Sequence, residues 1–171
     1  MKYFTGAIFI VLMIAACSTP EVVMDEQAET EPDSGLPSWF SPNTISSSGA
    51  NQFSGYSMAV ASDSSEAVQT GNESAIANVR FEIDRFAEEV REGLIADQGD
   101  GQYSRSDFII KLRNAVQELQ LTHSEFEREF EEREDNITQV YTRVTVDRAE
   151  MIERLSELIS DEPFTRALTA E

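Results

Sequence analysis

The chain has 171 residues, of which 32 are acidic and 13 basic, giving a formal net charge of −19. Such an excess repels phosphate backbones and anionic head groups and argues against nucleic-acid binding. The single cysteine, Cys17, excludes disulfide stapling, a cysteine-based metal cluster and a thiol nucleophile within the domain, so the core must hold by packing alone.

Met1-Lys2 provides a short positive start, and Tyr3 to Ala15 is an apolar run broken only by Thr5 and Gly6. The run is shorter than the roughly 20 apolar residues that span a bilayer and reads as the hydrophobic region of a signal peptide. Ile14-Ala15-Ala16-Cys17 resembles the lipobox of bacterial prolipoproteins. The resemblance implies that residues 1–16 are removed and that the Cys17 thiol becomes a thioether to diacylglycerol. An ordinary secretory signal with a chance cysteine at the cut is the alternative. Each buried CH₂ contributes about 0.8 kcal/mol, so several palmitate-like chains make attachment effectively permanent.

Residues 17–36 then form the lipidated cysteine and an acidic tether. Ser18 to Gly35 contains Pro20, Pro32, six carboxylates and few apolar residues, too little to offset the entropy of ordering. About twenty such residues span roughly 25 Å as a coil. Ser18, in place of the Asp that retains lipoproteins in the inner membrane, points to the outer membrane.

A domain over residues 37–162 follows. Leu36-Pro37-Ser38-Trp39-Phe40 is an apolar anchor, and Phe53 to Ala61 is a small-residue strand over which a helix can pack closely. Asp63-Ser64-Ser65-Glu66 has the form of an N-terminal capping box. The amphipathic helix behind it carries Ala75, Ile76, Val79, Ile83, Phe86, Ala87, Val90 and Leu94 at three- and four-residue steps and stops before Gly99-Asp100-Gly101. Gly71, which costs about 1 kcal/mol relative to Ala, marks an irregular first turn.

A shorter helix runs from Ser106, as a cap, to about Leu119, with Phe108, Leu112, Ala115, Val116 and Leu119 inward. Leu121 to Arg133 suits a helix by propensity and a strand by alternation. Val140 to Val146 is β-branched and alternating, and a single strand needs a neighbour, which favours a hairpin of 120–133 with 137–146. Asp147-Arg148-Ala149-Glu150 is a second capping box, opening a helix that carries Ile152, Leu155, Leu158 and Ile159 and ends around Asp161-Glu162-Pro163. Residues 163–171 read as a C-terminal tail. The expected fold is α+β, in the order β-α-α-β-β-α, with a long helix on one face of a small antiparallel sheet.

The lipobox, Pro37-x-Trp39, the Gly55-Tyr56-Ser57-Met58-Ala59 strand, the Ala/Arg helix from Ser65 to Leu94 and the Val140–Val146 strand together resemble the LPP-twenty family of bacterial lipoproteins, over most of residues 37–160. That resemblance implies an α+β domain of the cell envelope, in some members linked to the flagellar outer-membrane apparatus, often oligomeric and without a defined catalytic site. The strand lacks the second glycine of the family's Gly-x-Gly-x-Ala pattern, and the helix is unusually acidic.

His123, the single histidine, stands with no recognisable nucleophile motif. Asp97-Gln98-Gly99-Asp100-Gly101 superficially resembles a calcium loop, but aligning Gly101 to its invariant glycine leaves Ala96 and Asp107 at ligand positions, so no metal is expected. Glu125, Glu127, Glu129 and Glu131 line one face of a strand at 125–131, with Phe126, Arg128 and Phe130 on the other; a solvated face opposite a buried one is the simplest account. The expectation is a non-enzymatic envelope lipoprotein with no cofactor, meeting protein partners or copies of itself through the open hairpin edge. The alternative is a ligand-binding domain with a pocket between Trp39, Tyr56 and the long helix.

Overall fold

A four-stranded antiparallel sheet forms from Ser46–Ser48 (β1), Gln52–Ala61 (β2), Glu125–Arg133 (β3) and Ile137–Asp147 (β4), in the spatial order β1-β2-β4-β3. The structure is a computed structural model that describes residues 35–99, 101–121, 124–133 and 136–170. The signal-peptide, lipobox and tether expectations, with Ile14, Ala15, Ala16 and Cys17, lie outside the described residues, as do Asp100 and His123.

Register divides the sheet into two unlike faces. Gly55 pairs with Val144 and Val144 with Phe126, so Phe53, Gly55, Ser57 and Ala59 share a face with Val140, Thr142, Val144 and Val146. Across this face lies Ser64–Gln98 (α1), a helix of 35 residues that extends roughly 50 Å. Asp63 starts it by accepting hydrogen bonds from the backbone N–H groups of Ser65 (2.9 Å) and Glu66 (3.0 Å). Gly99 ends it at φ +80°, a conformation in which other residues are strained.

Small residues decide how near α1 approaches. A Cβ on Gly55 would stand 2.2 Å from the Ala75 carbonyl oxygen, and one on Gly71 would stand 2.7 Å from Thr142 Oγ1. Gly71 is therefore buried in regular helix and does not mark an irregular turn, correcting the reading of its position as a local backbone defect. Ser57 Oγ donates to the Gly71 carbonyl at 2.7 Å, joining the two elements at their closest approach.

The second half of α1 is flanked by a 3₁₀ turn at Gln102–Ser104 and the helices Ser106–Glu118 (α2) and Glu162–Ala170 (α4), and Arg148–Ile159 (α3) packs on α2 and α4. Tyr103, Phe108 and Phe164 meet ring on ring, with centroids 5.0 Å apart for Tyr103–Phe108 and 5.3 Å for Phe108–Phe164. Asp147 caps α3 by accepting from the Glu150 N–H at 2.8 Å, as its capping box implies.

The α+β class and the long helix across one face of an antiparallel sheet are as the sequence implies. Two elements are additional. The stretch after Pro163 is α4 and not a tail, because Phe164 and Leu168 are fully buried against α1 and α3. β1 is built from three serines without any apolar pattern and is held from outside itself: Ser46 Oγ donates to Glu82 Oε2 at 2.8 Å, and Arg148 donates to Ser48 Oγ at 2.7 Å. Ser106 does not cap α2 but is its first helical residue, and the preceding Arg105 makes no side-chain cap.

Candidate functional site

The face of the sheet turned away from α1 carries Tyr56, Met58 and Val60 of β2, Gln139, Tyr141 and Arg143 of β4, and Glu125 to Glu131 of β3 at alternate positions. The apolar anchor at residues 36–40 lies over part of it. Phe40 meets Tyr141 edge-on with centroids 4.9 Å apart, and the Arg143 guanidinium stands 5.3 Å from the Trp39 ring centroid. Trp39 and Tyr56 are thus separated from α1 by the sheet itself, so the pocket expected between them and the long helix does not form. On the side where α1 does pack, the helix–sheet interface is filled down to the backbone contacts at Gly55.

Beyond the anchor the same face is partly open. Met58 and Val60 are each about half exposed, next to Tyr141 and Gln139 across the β2–β4 pair. The Tyr141 hydroxyl donates to Glu131 Oε2 at 3.2 Å, and Arg143 pairs with Glu127. The acidic row on β3 is therefore tied to β4 at Glu127 and Glu131. Glu125 and Glu129 are exposed and make no such contact among the described residues.

β3 is the edge of the sheet, and no described strand pairs with its outer side. Its opposite face is not the buried one expected from alternation. Phe126 is 37 % exposed and Phe130 55 % exposed, because α1 packs over β2 and β4 and β3 lies beyond its flank. Arg128 stands between them: its Nε donates to Asn72 Oδ1 on α1 at 2.8 Å, and its guanidinium lies 4.7 Å from the Phe126 ring centroid. This accounts for an arginine on the apolar side of the strand.

Two buried charges escaped the sequence reading. Glu82, 1 % exposed, lies on the stripe that includes Val79 and Phe86, and its carboxylate takes Ser46 of β1 and Arg85 as partners. Arg91, 8 % exposed, pairs with Glu88 and donates to the Tyr103 carbonyl at 2.8 Å; the Glu88 hydrogen bond holds its pKa above the usual arginine value against the opposing effect of burial. Position 82 falls on the helix's inward face by spacing alone, but the partner that lies beneath that face is Ser46 of the distant β1 strand. Both charges are satisfied within the fold, Glu82 tying α1 to β1 and Arg91 tying it to the 3₁₀ turn.

Among the described residues no three His, Cys, Asp or Glu side chains gather as a metal site, and no helix is long and apolar enough to cross a membrane. A shallow groove of about 600 Å³ between α3 and α4 is lined by Ile152, Ser156, Thr165 and Thr169. Compared with known proteins, the chain matches no protein-family model, no curated protein and no solved structure.

Proposed function

We propose that the chain is a cell-envelope lipoprotein of the LPP-twenty type, held at the outer membrane through acyl chains on Cys17, whose α+β domain acts by protein–protein contact and not by catalysis. The observation that carries the contact reading is the β3 edge. Nine residues end the sheet with no described strand on their outer side, flanked by the exposed Phe126 and Phe130 on one face and by the exposed carboxylates of Glu125 and Glu129 on the other. Exposed edges of this kind recruit an added strand unless they are very short or covered. The opposite edge, β1, is only three residues long and offers far less backbone. The anchor reading is supported by the lipobox pattern of residues 14–17 alone.

A photo-crosslinking residue in place of Phe130, compared with one in place of the exposed Glu157 on α3, tests the contact reading in living cells. A discrete protein adduct from position 130 and none from 157 supports it; equal or absent adducts from both positions overturn it. Fractionation of Cys17→Ser beside the parent chain tests the anchor separately. The substituted chain is expected to leave the membrane fraction.

A further inference from the structure

Resting on that contact reading, we propose that the β3 edge receives an extended segment of another protein in which basic residues alternate with apolar ones, and does not pair with a second copy of this chain. The register with β4 sets Glu125, Glu127, Glu129 and Glu131 on one face, opposite Thr145, Arg143, Tyr141 and Gln139. Same-face residues of any strand repeat at about 6.8 Å, so an added strand meets this row position for position. Its side chains on that face stand beside carboxylates, of which Glu125 and Glu129 are exposed and have no partner among the described residues. On the other face they stand beside Phe126 and Phe130, which retain 37 % and 55 % of their surface in water. A strand reading basic on one side and aliphatic on the other satisfies both faces at once.

A second copy satisfies neither condition as well. Antiparallel pairing of two β3 edges about a two-fold axis keeps each face on its own side, which sets one row of glutamates beside another. Like charges directly across a strand pair are destabilising, and two chains of net charge −19 also repel at long range. The same glutamates that attract a basic segment therefore guard the edge against self-pairing.

The experiment uses the full chain in detergent and synthetic peptides of about nine residues, a common strand length. One peptide alternates lysine with valine, a second alternates threonine with valine, and a third has the composition of the first with all its lysines at one end. Binding is followed by fluorescence anisotropy, and its location by hydrogen exchange of the β3 amides. The alternating lysine peptide is expected to bind and to protect β3. The Glu125→Lys/Glu129→Lys variant, whose substitutions are both at exposed positions, is expected to weaken that binding about tenfold or more, with Glu125→Gln/Glu129→Gln intermediate. Equal protection of β3 by the threonine peptide overturns the charge preference while leaving edge docking intact. A concentration-dependent dimer with β3 amides protected likewise overturns the hetero-partner claim alone. Equal binding of the end-loaded lysine peptide without protection of β3, or no protection by any peptide, overturns both this proposal and the edge reading it rests on.

Discussion

Gly55 of β2 lies so near Ala75 of α1 that an added methyl group would stand 2.2 Å from the Ala75 carbonyl oxygen and 2.6 Å from the Val79 amide nitrogen. Both neighbours are backbone, so neither can turn aside, and relief requires moving the helix off the sheet. Gly55→Ala is expected to destabilise the domain by at least the roughly 1–3 kcal/mol typical of overpacking, read from the urea midpoint. Gly93, with nothing within 4 Å of its virtual Cβ, is the control. Gly93→Ala is expected to gain up to about 1 kcal/mol from helix propensity, and similar effects from the two substitutions would contradict the close-approach account.

Gly71 presents the same approach with a different neighbour. Its virtual Cβ meets Thr142 Oγ1 at 2.7 Å, and that hydroxyl is buried without a hydrogen-bond partner among the described residues. The clash is with a side chain, so it can be removed. In a double-mutant cycle, Gly71→Ala is expected to destabilise the parent but to stabilise the Thr142→Ala background, giving a favourable coupling within the roughly 0.5–3 kcal/mol seen for contacting residues. Additive changes in thermal denaturation would mean that the two sites do not touch in the way described.

These two glycines also mark what the sequence could and could not convey. The small residues of Phe53–Ala61 imply close helix packing, and that packing occurs at Gly55 of β2 and, on the helix side, at Gly71 above Thr142. Local periodicity and caps sufficed for α1, α3 and β4, whose signals lie within each segment, whereas β3 suited helix and strand alike and was assigned only because β4 needs a neighbour. β1 was illegible because its three serines are placed by Glu82 and Arg148, residues 36 and 100 positions away for the bonds they make. The exposure of Phe126 and Phe130 was equally hidden. Alternation tells which residues share a face, but whether that face is covered depends on the width of the helix above it.

α4 supplies a sharper test of the domain's extent. Phe164 is fully buried, its ring 5.3 Å from that of Phe108, and the Phe164 N–H donates to Asp161 Oδ1 at 3.0 Å. Emptying this site is expected to cost about 3–5 kcal/mol for Phe164→Ala, as for other buried aromatics. Removal of residues 163–171 is expected to cost at least as much, since Leu168 leaves the core with it. Unchanged stability after truncation, measured by urea denaturation, would return these residues to the status of a tail.

The partner of the α4 start is Tyr103, which gives the fold a dependence on alkaline pH. Burial, and secondarily the neighbouring Asp161, raise the Tyr103 pKa above the ordinary tyrosine value of 10.0, with a Gln102 hydrogen bond opposing. The hydroxyl donates to Asp161 Oδ1 at 2.9 Å, and ionisation would remove that proton and set a phenolate against a carboxylate. Because the folded pKa lies above the unfolded one, the folded state holds the proton more tightly. Its contribution is therefore complete below the unfolded value of 10.0 and is lost as pH rises through the folded value. Denaturation curves taken between about pH 8 and pH 11 are expected to show stability falling at the alkaline end. Tyr103→Phe should be less stable at neutral pH and fall less steeply, since Asp161 keeps Gln102 and the Phe164 N–H as donors. The difference between the ultraviolet titrations of parent and variant isolates this one phenol from the other tyrosines. If it ionises at the ordinary value in the folded protein, the burial and carboxylate contact assigned to Tyr103 cannot both hold in solution.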